Sequence, residues 1–442
     1  MSEIAIEDFL NNEYSQTALY ASFRSIASYV DGMKPSSRKI VYTLKKKNIT
    51  TEVKVSRLAS TVSELTEYLH GEGSLQGVIS GMAQTFVGAN NEALLYPAGS
   101  FGTRFVPTPS APRYIFTKKS SAFDSYFSKD DDDVLIKQEF EGEIIEPKFF
   151  VPIFPLLLIN GSEGIGTGFA QKILPRNKQD LIKYIENSLS GKTNSKPLTP
   201  YYEGFRGKII AGEGEGVGSW SIIGSFKIKD TTTIIVDEVP VGYTLSSYSK
   251  VLDSLEERKI IRDYTDKSEN DNFLFEIKVS REFTKQSEEE ILNSLKLIKR
   301  VSENYTCIDE NNSIREFESA EEILEAYIKI RLEYYKKRKQ YLLKNYSEQL
   351  SEICSKALFI SEVIDDKIHV NNVPKHQIIT SLTEYEDIIQ INGSYDYLLN
   401  MPIYSLTKEK YEELLKKAED KKQQIKTLKS KSETDLWFEE IK

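Results

Sequence analysis

Apolar residues recur at three- and four-residue spacing from Ala320 to Ile364: Ile328, Leu332, Tyr335, Leu342, Tyr346, Leu350, Ile353, Ala357, Ile360 and Ile364 share one stripe. Such spacing predicts a long amphipathic helix with a partner helix along its seam. Lys339 interrupts the stripe, and the register slips once near Tyr346. A second, highly charged stretch from Lys408 to Leu428 carries Tyr411, Leu414, Leu415, Ala418, Ile425 and Leu428, and suits the partner role. The chain between them, from Tyr385 to Tyr404, is short and aromatic. Two long helices with a small globule at their tip predict an antiparallel coiled-coil arm.

The pattern differs elsewhere. Ile6 to Val30 reads as an amphipathic helix, its apolar weight on Phe9, Leu10, Ala18, Leu19, Ala21 and Phe23, ended by Asp31-Gly32 and Pro35. Short helices with basic faces follow to about Val106, consistent with a helix-turn-helix-like module. From Tyr202 to Phe283 the texture turns to β, with strand-like runs at Ser219–Phe226, Thr231–Glu238 and Asn272–Val279. Glycines 212, 214, 216 and 218 mark a turn between strands. At 442 residues the chain holds two or three domains, and the expected division is 1–170, 171–315 and 316–442.

A net charge of −9 argues at first against a nucleic-acid binder. The charge is unevenly spread, however. Lys34, Arg38, Lys39, Lys45, Lys46, Lys47, Lys54 and Arg57 face a single acid, Glu52, in that stretch, while the excess acid sits at Asp130–Asp133 and Glu139–Glu146. DNA responds to the field within a Debye length of ~8 Å, so one basic groove suffices. Cys307 and Cys354 form no metal-ligand pair, and His70, His369 and His376 are scattered, so neither zinc nor a disulfide is expected. The most apolar run, Phe149 to Ile159, is well short of the ~20 residues that span a bilayer. Met1 to Phe9 lacks the features of an export signal. A cytoplasmic, DNA-associated location is the expectation.

The candidate chemistry lies in Pro109-Ser110-Ala111-Pro112-Arg113-Tyr114-Ile115-Phe116-Thr117. A phenol is a poor nucleophile near neutrality, its pKa being about 10. A neighbouring guanidinium favours the phenoxide and can also grip a phosphate. Arg113 and Tyr114 could therefore hold a DNA phosphate covalently. Around them stand Asp31-Gly32-Met33-Lys34-Pro35 with Arg38, Tyr68-Leu69-His70-Gly71-Glu72, Ala83-Gln84-Thr85-Phe86-Val87-Gly88, Phe101-Gly102-Thr103-Arg104, Asn160-Gly161-Ser162-Glu163-Gly164-Ile165-Gly166-Thr167-Gly168 and Ile173-Leu174-Pro175.

In this order and spacing the motifs resemble the breakage-reunion region of type IIA DNA topoisomerases, and the likeness covers nearly the whole chain. The Ala-Gln-Thr-Phe-Val-Gly and Phe-Gly-Thr-Arg wording is closer to the eukaryotic and phage branch than to gyrase. The resemblance implies an α+β multidomain fold: a winged-helix DNA-gate domain, a mixed α/β tower domain, and the coiled-coil arm with a C-terminal dimerisation globule. Tyr114 would be the nucleophile, with Arg113 and Arg38 neutralising the phosphate and His70 stabilising the transition state near the leaving oxygen. Leu69 stands where the family carries a further histidine. Lys34, Lys39, Lys54, Arg57, Gln84 and Arg104 are the expected DNA contacts, and Ile173 aligns with the apolar wedge that kinks the duplex.

No ATPase segment and no Toprim metal site are found, so the chain resembles the medium subunit of a split phage-type enzyme. A large partner subunit would bring ATP and Mg2+, the chain would pair with a second copy through its C-terminal gate, and no metal ligand is assigned here. If phage-encoded, it would work in the host cytoplasm. With no C-terminal wrapping domain, relaxation and decatenation are expected rather than supercoiling. Gly164 to Gly168 lacks the Lys-Ser/Thr of a phosphate loop and reads as a tight turn. Asp130–Asp133 reads as a solvated acidic loop, since consecutive carboxylates do not converge on a cation. The competing readings are a non-cleaving DNA-architectural protein and, less well matched, a tyrosine recombinase.

Overall fold

Pro35, whose missing N–H costs nothing at a helix start, opens the basic segment as a helix. The computed structural model describes residues 6–212 and 218–441. It divides into two bodies, the first comprising the described residues of 6–129 and 135–331 with Ile441, the second residues 130–134 and 332–440. Gly214 and Gly216 of the expected glycine-rich turn lie outside the described residues, as do Met1 to Ala5 of the segment read for an export signal.

The first body begins with α1 (Ile6–Phe9), a π-helical turn (Leu10–Tyr14) and α2 (Ser15–Ser25). The helix expected to reach Val30 stops at Ser25. Ile26, Ala27, Tyr29 and Val30 are buried in non-helical chain that runs into a turn, and Tyr29 N donates to Ile308 O while Ile308 N donates to Ala27 O. Pairing with residues far along the chain overrides the local helical pattern there. Next come α3 (Pro35–Lys46), β1 (Val53–Lys54), α4 (Val55–Thr66) and α5 (Glu72–Ala83). Helix α4 buries Val55, Leu58, Ala59 and Val62, the spacing of one helix face, and ends at Glu67 in the left-handed region. Strands β2 (Leu95–Ala98) and β3 (Phe116–Lys119) join β1 in an antiparallel sheet of order β1-β3-β2. After α6 (Phe123–Tyr126) and the β4 (Glu139–Phe140)–β5 (Glu143–Ile144) ribbon come α7 (Leu156–Asn160), β6 (Ser162–Ile165), β7 (Ala170–Ile173) and α8 (Lys178–Leu189). The expected tight turn joins β6 to β7, closed by Gly166 N donating to Phe169 O.

The β-rich texture resolves into further sheets of the same body. Its strands are β8 (Lys208–Ala211), β9 (Ser219–Ile223), β10 (Ser225–Asp230) and β11 (Thr233–Glu238), followed after α9 (Leu245–Glu257) by β12 (Asp263–Asp266) and β13 (Phe275–Lys278). After α10 (Glu288–Ser294) come β14 (Ile298–Ser302), β15 (Asn304–Ile308) and β16 (Ile314–Glu316). The sheets run β10-β11-β13-β12, β14-β9-β8 and β16-β15-β7-β6. Ile234, Val236, Phe275 and Ile277 meet Tyr248, Leu252 and Leu255 of α9 in one core. Helix α11 (Ala320–Ile364) contributes Ile323, Leu324 and Tyr327 to this body, and Arg331 Nη1 donates to Val151 O at 3.0 Å.

In the second body α11 continues, followed by α12 (Lys375–Leu382), α13 (Asp396–Leu399), α14 (Lys408–Ser430) and α15 (Glu433–Ile441). Ala357 and Ile360 pack on Leu414, while Lys339 donates to the Lys431 carbonyl, so α11 and α14 run antiparallel. Phe359, Ile368, Ile378, Leu382, Ile388, Tyr395 and Leu398 form the core of the intervening globule. Burial is confined to parts of the α11 stripe: no side chain from Lys339 to Cys354 is buried. The acidic run is not wholly solvated. Asp131 is 4% exposed, with Oδ1 3.6 Å from Arg338 Nη1, and Arg338 also pairs with Glu440. A buried guanidinium needs carboxylate partners, and this run supplies one. Among the described residues no helix is long and apolar enough to cross a membrane.

Candidate active site

The chain from Pro112 to Lys119 is fastened to the start of α4. Val55 N donates to Ile115 O at 3.0 Å, Ser56 N to Pro112 O at 3.2 Å, and Lys54 pairs with Phe116 across β1 and β3. Ile115, next to the start of β3, is buried, whereas Tyr114, in a turn closed by its own N donating to Ala111 O at 2.9 Å, stands 67% exposed. The Arg113 guanidinium lies 4.9 Å from the centre of the Tyr114 ring. Arg113, Lys54 and Arg57 are all exposed here, so a mobile anion meets cations beside the phenol.

The preceding loop is held from below. Gly102 has φ +89°, and a Cβ there would lie 2.5 Å from Pro107 O, so this close turn requires glycine. Gln84 Nε2 donates to both Phe101 O and Pro107 O at 2.8 Å. Ser110 N donates to Ser100 O at 2.9 Å, returning the chain towards Arg113.

A second group lies at the other end of α4. A cleft of about 660 Å³ is lined by Tyr20, Arg24, Lys34, Lys39, Tyr68 and His70, among others. His70 Nε2 is 3.0 Å from the Tyr20 hydroxyl, and its ring stands edge-on to Tyr68 at 5.4 Å. Lys34 Nζ donates to Glu163 O at 2.8 Å, and burial pulls its ammonium below the usual lysine pKa. Tyr114 adjoins the first turn of α4 and His70 follows its last, with the helix, eleven steps of 1.5 Å or roughly 16 Å long, between their attachment points.

Several expected contacts face inward. Arg104 is 4% exposed, pairs with Glu238 at 2.7 Å, donates to Val239 O and lies over the Phe273 ring. It is a strut between this loop and the β10–β13 sheet rather than a surface cation, and its burial needs that carboxylate. Gln84 is likewise spent on loop carbonyls, and Lys39 on Glu146 and Thr66 O. Arg38 is gripped by buried Asp31, through Nε at 2.7 Å and Nη2 at 3.1 Å. Ile173 is 3% exposed and cannot insert between bases as placed. The most exposed large apolar side chain on that hairpin is Ile165, 80% exposed at the end of β6, against 38% for Phe169. Its flanking glycines allow it: a Cβ on Gly164 would lie 1.8 Å from Ser25 O, and one on Gly166 2.7 Å from Ser22 Oγ. An isoleucine between two glycines was the available sequence signal. Tyr20 and Arg24 carried none, because only the tertiary fold brings α2 to His70.

The family model for the A subunits of DNA gyrase and topoisomerase IV matches residues 24–442. The chain belongs to this family and represents the type IIA topoisomerase breakage-reunion region. It is 33% identical to the mitochondrial DNA topoisomerase 2 of Dictyostelium discoideum over 453 residues, covering 100% of this chain and 35% of that protein. With DNA topoisomerase 2-alpha of Gallus gallus it shares 34% identity over 477 residues, covering 99% of this chain and 30% of the relative. The crystal structure of the Plasmodium falciparum topoisomerase II DNA-binding, cleavage and re-ligation domain superimposes with a TM-score of 0.87 at 34% identity, covering 98% of this chain and 63% of that one. The chain thus spans about a third of the length of the curated relatives it matches.

Proposed function

We propose that this chain cuts and rejoins duplex DNA for a type II topoisomerase, as an ATP-dependent isomerase that relaxes and decatenates. The observation that carries the reading is Tyr114, exposed beside Arg113 on a backbone locked to β1 and α4. The phenol gives up its proton as its oxygen attacks the scissile phosphorus, the bond to the 3′-oxygen breaks, and that oxygen takes up a proton in turn. The resulting 5′-phosphotyrosyl ester conserves the energy needed for religation. Arg113 stabilises charge on the phosphate, and Lys54 and Arg57 hold neighbouring phosphates. His70 acts from the other end of α4, while Arg38 stays committed to Asp31.

The separation across α4 favours a shared site. With α4, roughly 16 Å long, between their attachment points, Tyr114 and His70 of one chain are read as serving different phosphates. In a dimer, Tyr114 of one protomer serves the cleft of its partner, and two such sites cut both strands. The three helices and the β1-β3-β2 sheet then form the winged-helix gate, the β-rich segment the tower, and α11 with α14 the coiled-coil arm. The globule between those helices is the dimerisation tip, where Ile403 and Tyr404 are 87% and 82% exposed. Ile165 is the wedge.

Mg2+ and ATP belong to a large partner subunit in this reading. Among the described residues no group of three His, Cys, Asp or Glu side chains could hold a metal, and the Gly164–Gly168 turn packs on Ser22 and Ser25 without a phosphate-loop lysine. The place of work is DNA in the cytoplasm.

Denaturant-trapped adduct formation tests the proposal. The chain, its partner subunit, magnesium and end-labelled duplex are mixed, and wild type is compared with Tyr114→Phe. Label on this chain that disappears in the variant is expected. No adduct from an assembled, DNA-bound wild-type complex would leave a non-cleaving architectural role.

A further inference from the structure

His70 is an exposed imidazole whose Nε2 is engaged by a side chain fifty residues earlier. A neutral imidazole carries one proton, and the hydrogen bond made by one nitrogen decides which tautomer the other presents. Between a phenol and an imidazole, the ring nitrogen is the stronger base, so the phenol donates. Tyr20 is set up for this. It projects from α2 with the Arg24 guanidinium 5.6 Å from its ring centre, and His70 is held edge-on by Tyr68.

We propose that Tyr20 is a positioning residue for His70: it donates its hydroxyl proton to Nε2, fixes the proton on Nδ1, and thereby keeps Nδ1–H available to a phosphate oxygen. This rests on the cleavage reading of the site. The groups around His70 fit a phosphate. Arg24 on α2, Lys34 just before α3 and Lys39 on α3 are cationic, while Glu67 is the acid lining the cleft beside Tyr68. Lys39 is already neutralised by Glu146, so Arg24 and Lys34 supply the local positive field.

The consequence is a donor that does not depend on the charge of His70. Both the Nδ1–H neutral ring and the imidazolium carry a proton on Nδ1. Without the Tyr20 hydroxyl, the neutral ring is free to carry its proton on Nε2, and Nδ1 then donates only when the ring is protonated. Cleavage by a Tyr20→Phe variant should therefore fall as pH rises, whereas wild type should not.

The test combines a spectrum with a rate. Nitrogen-15 NMR of the histidine-labelled full chain, with His70→Gln to assign the signal, reports which ring nitrogen is protonated. Wild type is expected to be Nδ1-protonated at pH 8 and Tyr20→Phe Nε2-protonated. In the holoenzyme with magnesium and duplex DNA, Tyr20→Phe should form adduct about tenfold more slowly at pH 8 and within about twofold of wild type at pH 6. An Nε2-protonated wild type overturns the proposal whatever the adduct assay gives. A tautomer that switches while the rate and its pH profile stay unchanged overturns the positioning role. If wild type forms no adduct, the cleavage reading fails, and this role for Tyr20 fails with it. The spectrum then shows whether the hydrogen bond itself was rightly assigned.

Discussion

Arg113 and Arg176 occupy opposite extremes of this molecule. Arg113 is exposed, its guanidinium over the Tyr114 ring, and no ion pair to it is found among the described residues. Arg176, at the base of the β6–β7 hairpin, is 1% exposed and wholly committed: both Nη atoms reach Glu303 at 2.7 Å, and Nε donates to Leu198 O. Glu303 in turn accepts from Leu174 N, Trp220 Nε1 and the Tyr305 hydroxyl. Bonds to Glu303 hold the Arg176 charge above the usual arginine pKa despite its burial. The difference separates two uses of one residue type. A fully satisfied arginine holds elements together, and an unsatisfied one at the surface is available to a phosphate.

The sharpest way to break the comparison is Glu303→Gln. It strands the Arg176 charge in the interior, and urea denaturation should show a loss of about 3–5 kcal/mol. Arg113→Ala should do the opposite: stability within about 0.5 kcal/mol of wild type, but adduct formation about 10²–10³-fold slower. Should Arg113→Ala unfold the chain, or Glu303→Gln leave it unaffected, the division fails. Gly102→Ala is intermediate, because a Cβ would collide with Pro107 O at positive φ; about 1–3 kcal/mol of stability should go, with adduct formation falling as the loop shifts. Lys54→Ala is the mildest. Binding across DNA sequences should weaken evenly, and the slope of log affinity against log salt should shrink by about 1.

Much of the fold was written in local pattern. The α11 stripe predicted Ala320–Ile364, and Lys408–Leu428 fell within α14, because long helices repeat their signal over many turns. Strands β12, β14, β15 and β16 were missed: each has five residues or fewer, and several owe their pattern to partners far along the chain. The Arg113–Tyr114 pair was legible because both residues are adjacent. Charge alone could not reveal which basic residues turn inward, since Arg104 and Lys39 are fixed by Glu238 and Glu146, more than a hundred positions away. Ile173 and Ile165 are both isoleucines on one hairpin; the glycines flanking Ile165 were the sequence signal that set them apart, and burial shows which one faces solvent.

Between Lys339 and Cys354, α11 keeps its own hydrogen-bond ladder but buries no side chain. Considered as a beam, this stretch of the second body is stiff along its axis and compliant across it. Axial stiffness comes from the bonds within the helix, whereas lateral stiffness needs a filled seam against α14. A sideways load should therefore bend this span first, sparing the packed zones around Arg338 and around Ala357 and Ile360. The seam's packing along the sequence thus sets where the arm flexes, much as a thinned section sets the working point of a leaf spring.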